Sequence, residues 1–317
     1  MNDLLVVTLL ASGILYGTPL IIAGIGELLA ERSGVLNLSV EGIMLMGAAT
    51  AFWTSQSITE GPSWLALTAA ILVGAFVGIL VALILTFSVI TMRANQVVSG
   101  LALLIFCGPL GLSNYLGTVG NLASSTGQHR LPKLDLFGLG DLAVVGPLIF
   151  NQDVLVYFSW ILTIGAGFYL TKTRAGLHLR AVGEEPNAAD AMGVNVVAYR
   201  YFHTLLGGAL AGVAGAYYSL SISVNWVNNI TAGAGWIAIA LVILAFWRPL
   251  FVVIGAYLFG VVTSLGFTLQ ALGFKLPAEL FSSLPYLLTL FAVILASGRL
   301  SKFNLKAPAA LGLPFRR

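Results

Sequence analysis

The chain has little charge. Only 9% of its 317 residues are Asp, Glu, Lys or Arg, and its mean hydropathy is +0.97. A soluble protein of this size needs far more polar surface than this composition supplies. Runs of 18 or more apolar residues recur along the chain, which predicts membrane-spanning helices. The composition therefore excludes a soluble enzyme and indicates an integral membrane protein.

Other absences narrow the function further. The single cysteine, Cys107, cannot form an intrachain disulfide. The three histidines have no metal-ligand spacing with cysteine or carboxylates, and no Walker A motif occurs. Residues 138–141 read Gly-Leu-Gly-Asp, a motif found in intramembrane aspartyl proteases. That chemistry needs two Asp carboxylates that share one proton, and no second Asp lies in a predicted span. We therefore expect no catalytic residue, no metal and no cofactor, with any ATP hydrolysis on a separate subunit.

The apolar runs predict one transmembrane domain over residues 1–317. We expect an all-α integral membrane protein, a polytopic bundle of about 8–10 transmembrane helices. It would have a discontinuous helix near the N-terminus and a short cytoplasmic helix that contacts a partner. The predicted spans are 4–29, 38–54, 64–90, 97–117, 152–171, 200–222, 230–246, 250–271 and 281–297.

The distribution of basic residues predicts the orientation in the membrane. If the C-terminus is cytoplasmic, 12 of the 15 Lys and Arg residues lie inside, and only Arg130, Lys133 and Lys275 lie outside. The N-terminus is then extracytoplasmic. Residues 118–150 are expected to form an extracellular loop with an amphipathic piece, and residues 172–200 a cytoplasmic loop. Membrane orientation explains the basic excess better than a nucleic-acid partner does.

The longest charged stretch runs from Lys172 to Arg200 and contains a small predicted helix. Pro186 suits the first helical position, where its missing N–H costs nothing. Residues 187–192 can form about two turns, and Gly193 supplies a left-handed stop. So short a helix is marginal alone. Its position in a charged loop predicts that it docks into a partner protein; the alternative is an ordinary solvated cytoplasmic loop.

A polar interruption follows the first apolar run, at residues 26–42. Acidic and amide groups are costly in hydrocarbon unless they pair or face water, and broken helices at membrane depth occur where they line a cavity. We expect Gly34 and Gly42 to allow the break. Glu27 is expected to pair with Arg32 or Arg93. The cavity is predicted to be lined by Asn37, Ser39 and Glu41; the alternative is a cytoplasmic turn in which Asn37 caps the next helix.

Two further polar groups interrupt apolar sequence. Asn95 and Gln96 either face the cavity or cap the helix that follows them. In the segment from Asn225 to Asn229, the indole of Trp226 offers a face on which a nucleobase or a sugar can stack. The side-chain amides of Asn225 and Asn228 can hydrogen-bond to the edge of that ring. The alternative for Trp226 is an anchor in the aromatic belt at the membrane interface.

These motifs resemble those of permease subunits of ABC importers for branched-chain amino acids, simple sugars and nucleosides. The resemblance is closest to the nucleoside permeases and runs from about residue 24 to 300. In two places this chain departs from the pattern, with Ala30 in place of a Ser and Gln96 in place of a Glu. The matching motifs are residues 31–42, 94–98, 180–184 with Pro186, 188–189 and 193–196, then 233–240, 247–250 and 284–290.

The resemblance implies a permease subunit that moves nucleosides or related small polar solutes by alternating access. Its implied partners are ABC ATP-binding subunits, a second permease subunit (a copy or a homologue), an extracytoplasmic substrate-binding protein and the lipid bilayer. The residues expected to couple to the ATPase are Arg180, Glu184, Glu185, Pro186, Asn187, Ala188, Ala189, Asp190 and Gly193. The residues expected along the substrate pathway are Asn37, Ser39, Glu41, Asn95, Gln96, Asn225, Trp226 and Asn228.

Two other functions stay open. A permease for simple sugars would carry the same family motifs. A secondary transporter driven by protons or sodium would use Glu27, Glu31 and Glu41 as its ion sites, and it would need no coupling loop.

Overall fold

The computed structural model describes residues 2–125, 127–271, 280, 283–284, 286–288, 290, 294 and 307–315. Helices dominate this part of the chain. They are α1 (Asn2–Arg32), α2 (Val40–Ser57), α3 (Ser63–Thr86), α4 (Gln96–Cys107), α5 (Leu112–Val119), α6 (Val154–Lys172), α7 (Arg174–Glu184), α8 (Pro186–Ala191), α9 (Val196–Tyr217), α10 (Ala234–Leu244) and α11 (Pro249–Ala271). Short π-helical segments extend α3 to Thr91 and α9 to Ile222.

Six helical segments among the described residues are long and apolar enough to cross a membrane: Leu5–Arg32, Ser63–Thr91, Gln96–Val119, Val154–Lys172, Val196–Ile222 and Pro249–Gln270. The predicted all-α membrane bundle is thereby confirmed. The predicted spans at 38–54 and 230–246 correspond to α2 and the short α10, which are not among these six. The predicted span at 281–297 lies largely outside the described residues.

The bundle is organised around α1 and α9. Helix α1 packs against α6, α9, α10 and α11, while α9 also packs against α2 and α3. Small residues let the backbones approach closely, as expected where lipid supplies no hydrophobic drive between helices. At Gly212, a side chain would overlap the backbone of Gly74 on α3, and at Gly215 it would overlap the backbone of Met44 on α2. The glycines of α9 therefore set the spacing of three helices.

Distant segments meet at one end of the bundle, which we call the basic end. The amide of Ala310 donates to the carbonyl of Gly183 at 2.9 Å, and Arg32 Nη2 donates to the carbonyl of Trp247 at 3.0 Å. By the course of the helices, this end carries most of the described basic residues: Arg32, Arg93, Lys172, Arg174, Arg180, Arg200 and Arg248.

The opposite end, which we call the loop end, comprises residues 58–62, 120–153 and 223–233. It holds Arg130 and Lys133. The predicted amphipathic piece in 118–150 is instead a set of short turns with one strand: β1 (Lys133–Asp135) pairs antiparallel with β2 (Asn151–Asp153). Asp153 fixes this region to α9, because its Oδ2 accepts hydrogen bonds from Tyr217 Oη at 2.7 Å and Ser221 Oγ at 3.0 Å.

Two local expectations need correction. The cytoplasmic loop at 172–200 is more helical than predicted, since α7 precedes the short helix α8. The break after α1 depends on Gly34, whose φ of 89° is the left-handed conformation that glycine adopts without a steric penalty. Gly42 does not take part in the break. It lies inside α2, where an added Cβ would sit 3.1 Å from the Cβ of Cys107 on α4.

Candidate functional site: a cavity, a polar core and a docking helix

The Glu41 side chain joins α2 to the segment that leads into α10. Its Oε1 accepts from Thr231 Oγ1 at 2.6 Å and from the amide of Gly233 at 2.9 Å, and its Oε2 accepts from the amide of Gly235 at 2.6 Å. A carboxylate is favoured there because the first amides of a helix have no partner within the helix. Glu41 is only 4% exposed, so these bonds replace water for a buried group.

The break between α1 and α2 is held by a second polar cluster. Asn37 Oδ1 accepts from the backbone amide of Ser39 at 3.0 Å and from the Ser39 hydroxyl at 2.6 Å. The backbone amide of Asn37 donates to Glu27 Oε1 at 3.2 Å. The predicted pairing of Glu27 with Arg32 or Arg93 is therefore wrong. Within the described part of the chain, the buried Nδ2 of Asn37 has no hydrogen-bond partner.

Asn95 and Gln96 have different roles, although they are neighbours. Asn95 is exposed, and its Oδ1 accepts from the amide of Val98 at 3.1 Å, so it caps α4 as the alternative interpretation held. Gln96 is buried, and its Oε1 accepts from the amide of Leu36 at 2.7 Å. Gln96 thus ties α4 to the break after α1.

A tight turn between α10 and α11 completes the polar core at the basic end. Phe246 and Trp247 both have positive φ, at 51° and 53°. This turn directs the indole Nε1 of Trp247 to Glu31 Oε2, while the carbonyl of Trp247 accepts from Arg32. The sequence marked the turn as a break between helices, but it gave no sign that Trp247 is the partner of both Glu31 and Arg32.

The Asn225–Asn229 segment lies at the loop end and does not join this core. Trp226 is 3% exposed and packs with Ala48, Ala49 and Phe52. Its buried indole fits neither the predicted stacking on substrate nor an interfacial anchor. Asn225 and Asn228 are exposed, and Asn228 Nδ2 donates to the carbonyl of Pro109 at 3.1 Å.

A cavity of about 300 Å³, which we call the aromatic cavity, opens in the half of the bundle nearest the loop end. The rings of Tyr16 and Phe267 stack in its wall, with centroids 5.5 Å apart and planes 25° apart. Sequence reasoning missed this cavity because its lining comes from segments far apart in the chain. The other lining residues are Leu20, Tyr218, Ile222, Ser223, Ile230–Ala232, Ala234, Ile237, Thr263, Gly266, Gln270 and Tyr286.

A second cavity, of about 550 Å³, lies on the other side of the segment that Glu41 holds. Glu41 and Gly233 contribute to its wall, together with Asn229 and the half-exposed Trp236. Ala232 and Tyr286 line both cavities, and Tyr286 Oη donates to the carbonyl of Ala232 at 2.6 Å. The segment 231–235 therefore separates two spaces, and Glu41 is its anchor.

The short helix α8 presents an exposed surface at the basic end. Pro186 occupies its first turn, and Gly193 has a φ of 84° just beyond it, as the sequence predicted. Met192, next to that glycine, is 84% exposed. The other predicted coupling residues on this surface are Glu184, Glu185, Asn187 and Ala188, whereas Arg180, Pro186 and Asp190 are partly buried.

Ala189 faces inward. It packs with Val182 on α7 and Val196 on α9, so its methyl group holds α8 against the bundle. Ala189 is therefore a residue of the protein's own core and not part of the exposed surface of α8.

The C-terminal residues 307–315 connect α7 to the break after α1, and no motif pointed to them. The amide of Gly312 donates to the carbonyl of Gly34 at 3.2 Å. Arg200, which is 2% exposed, donates from Nε to the carbonyl of Ser33 at 3.1 Å and from Nη1 to the carbonyl of Leu313 at 3.0 Å. Arg200, Gly183 and this terminal segment join α9, α7 and the break into one unit.

The matching family and the named relatives agree with one another, and all of them point to transporter permeases. The family described as branched-chain amino acid transport system / permease component matches residues 9–293. TsgC13 of Haloferax volcanii, which carries the name of a glucose ABC transporter permease, is 36% identical over 98% of this chain and 97% of its own length. The nucleoside ABC transporter permease NupC of Lactococcus lactis is 34% identical over 92% of both chains. The guanosine ABC transporter permease NupQ of Bacillus subtilis is 34% identical over 95% of this chain and 94% of its own.

All three of these organisms have a second permease that also matches; in Haloferax volcanii it is TsgB13, 25% identical over 87% of this chain. NupP of Bacillus subtilis and NupB of Lactococcus lactis are 27% and 24% identical, each over 77% of this chain. The relatives thus include pairs of permeases with matching names. No match was found among solved structures.

Proposed function

The chain belongs to the branched-chain amino acid transport system / permease component family, and from this premise we propose that it is the transmembrane permease of an ATP-driven ABC importer for nucleosides. The single observation that carries the proposal is α8, an exposed helix of six residues held on the basic end by its own small core. So short a helix is stable only through packing, and its outer face is free for an ATP-binding subunit.

The names of the relatives support nucleosides as the substrate, with sugars as the second candidate. NupC and NupQ are named for nucleosides and guanosine, and TsgC13 for glucose, at similar identities to this chain. The aromatic cavity favours the nucleoside, because a flat unsaturated ring stacks on tyrosine and phenylalanine through both faces. We therefore place nucleosides first.

The proposed partners are two ATP-binding subunits, an extracytoplasmic binding protein and a second permease. The pairs NupB with NupC and NupP with NupQ support a heterodimer of two homologous permeases. The basic end faces the cytoplasm, because Lys and Arg concentrate on the cytoplasmic side of membrane proteins. The loop end then meets the binding protein.

Contacts between the two ends suggest how ATP hydrolysis moves the substrate. A push on α8 acts on α7, whose Gly183 lies against the backbone of Arg32 and binds the C-terminal segment. Arg200 and Gln96 carry this connection to the break after α1. Beyond the break, Glu41 holds the segment between the two cavities. Tilting of α2 would thus shift the barrier beside the aromatic cavity and give alternating access.

Reconstitution tests this proposal. The permease pair with its ATP-binding subunits is placed in proteoliposomes with the binding protein outside, and uptake of tritiated guanosine, uridine and glucose is measured. We expect nucleoside uptake that requires internal ATP and survives a protonophore. The matched control carries ATP-binding subunits that bind but do not hydrolyse ATP. Uptake that persists in this control and collapses with the proton gradient would support the secondary transporter that uses Glu27, Glu31 and Glu41.

A further inference from the structure

We propose that the aromatic cavity at the loop end binds the planar base of the nucleoside, with Tyr16, Tyr218 and Phe267 as its main recognition residues. This inference rests on the proposed function and names the part of the substrate that the permease recognises. None of these three residues belongs to the motifs that the sequence suggested for the pathway. They are brought together by α1, the end of α9 and α11.

The size and lining of the cavity suit a small flat ligand. Its volume of about 300 Å³ is at the lower end of the range for small-molecule pockets, about 300–1,000 Å³. Apolar and aromatic side chains form most of the wall, and a few polar groups lie among them. This combination is typical of sites that bind a ring through its faces and orient it through its edge.

The aromatic rings offer the stacking surface. Tyr16 and Phe267 form a nearly parallel pair on adjacent helices, and Phe267 is 55% exposed although it lies in a cavity wall. An exposed phenyl face beside a second ring is a platform on which a base can stack. Base–aromatic stacking is sequence-tolerant because every base has a π-face, which suits a permease that accepts several nucleosides.

Polar groups at the cavity can read the edge of the base. Among the described residues, the hydroxyls of Tyr16 and Tyr218 and the side chains of Ser223 and Gln270 have no hydrogen-bond partner, and all four line the cavity. An amide such as that of Gln270 both donates and accepts, as does a tyrosine hydroxyl. A purine or pyrimidine edge carries donors and acceptors side by side and can satisfy both kinds of group.

A free hexose fits this cavity less well. Its hydroxyls surround the whole ring, and each hydroxyl that is buried without a partner costs free energy. The carboxylate of Glu41, which lines the second cavity, already accepts three hydrogen bonds, from Thr231, Gly233 and Gly235. The polar groups of the cavity lie among apolar and aromatic side chains, an arrangement that favours a base, with polar atoms on its edge, over a ring with hydroxyls on every side.

Protection of a cysteine at the cavity tests the inference directly. Ser223 is exposed and lines the cavity, so Ser223→Cys in a Cys107→Ala chain gives one reactive thiol in this permease with little change in shape. In the assembled transporter, whose other subunits carry no exposed cysteine, its reaction rate with a water-soluble maleimide is measured with adenosine, uridine or glucose. We expect adenosine and uridine to slow the reaction about tenfold at ten times their half-protecting concentration.

Two kinds of control make the result specific. Ser63→Cys, exposed at the loop end but outside the cavity, should react at the same rate with and without nucleoside. Phe267→Leu and Tyr16→Leu should each raise the half-protecting concentration of adenosine about tenfold, in line with the loss of a stacking partner. The matched variant Phe76→Leu removes an exposed phenyl ring from α3, outside the cavity lining, and should leave protection unchanged.

The outcomes separate this inference from the proposed function. If the reconstituted importer takes up nucleosides but adenosine and uridine do not protect Ser223→Cys, the cavity is not the binding site and the inference is overturned. Equal protection by glucose and adenosine at equal concentrations would also overturn it. If the importer takes up glucose and no nucleoside, the proposed substrate itself fails, whatever the thiol shows. Nucleoside-specific protection that Phe267→Leu weakens and Phe76→Leu does not supports the inference.

Discussion

The two ends of the bundle use their polar side chains in different ways. At the basic end, Arg200, Gln96 and Arg32 bond to backbone groups of distant segments. At the loop end, Tyr16 and Tyr218 line an open cavity. We propose from this difference that the basic end transmits movement as one connected unit, whereas the loop end keeps polar groups available for a ligand.

Glycines with positive φ occur at both ends of the bundle, Gly34 and Gly193 at the basic end and Gly61 at the loop end. Gly34 and Gly193 each shape a segment that contacts α7, α8 or the C-terminal residues. Gly61 has a φ of 101° at the loop end, and an added Cβ would meet nothing within 4 Å at Gly61 or at Gly193, so these two glycines differ in the segment they shape and not in local crowding. Equal backbone strain should therefore have unequal consequences at the two ends.

The largest effect is expected from Arg200→Met. The substitution removes the donors for the carbonyls of Ser33 and Leu313, and an unsatisfied buried acceptor costs about 1–3 kcal/mol. We expect a clear fall in the unfolding temperature of the purified complex and loss of most uptake. Arg174→Met, at an exposed position on the same end, is the control and should change neither. A stable, active Arg200→Met complex would contradict the view of the basic end as one unit.

Next in size is the pair Gly193→Val and Gly61→Val. A β-branched residue resists the left-handed conformation by about 1–2 kcal/mol, so both substitutions strain the backbone equally. Only Gly193 lies beside α8. We expect Gly193→Val to abolish most substrate-stimulated ATPase activity while Gly61→Val keeps it. Similar losses in both variants would show that the effect is general instability and not coupling.

The contrast between the ends also explains what the sequence could predict. The motif of Pro186 and Gly193 is local, so its helix and its left-handed stop were predicted correctly. The aromatic cavity depends on where α1, α9 and α11 meet, and Tyr16 or Phe267 in an apolar run cannot be distinguished from a lipid-facing residue. Glu27 was assigned a charged partner, whereas its observed partner is a backbone amide, which carries no side-chain signal in a sequence.

Glu41→Gln is expected to have an intermediate effect. The amide keeps one acceptor oxygen, so at least one of the bonds to Thr231, Gly233 and Gly235 is lost, at a typical net cost of about 1 kcal/mol. We expect uptake to fall while stimulated ATPase activity persists, because the barrier segment loosens and the basic end is intact. Glu185→Gln, exposed beside α8, should show the reverse pattern, with ATPase stimulation reduced first.

The smallest effect is expected from Asn95→Ala, compared with Asn37→Ala. Asn95 caps α4, and loss of a cap costs about 1 kcal/mol of helix stability. Asn37 is buried and holds the break through Ser39 and Glu27. Uptake normalised to membrane expression should therefore change little for Asn95→Ala and fall strongly for Asn37→Ala. An equal and large loss in both would return Asn95 to the substrate pathway.

The connection between the two ends can be measured in one experiment. The maleimide reaction rate of Ser223→Cys, with Cys107 replaced, is compared in the assembled transporter without nucleotide and with ATP trapped in its ATP-binding subunits. Alternating access predicts a several-fold difference between the two states, and Gly193→Val at the opposite end should remove it. A rate that does not respond to ATP, or a response that Gly193→Val leaves intact, would contradict the account.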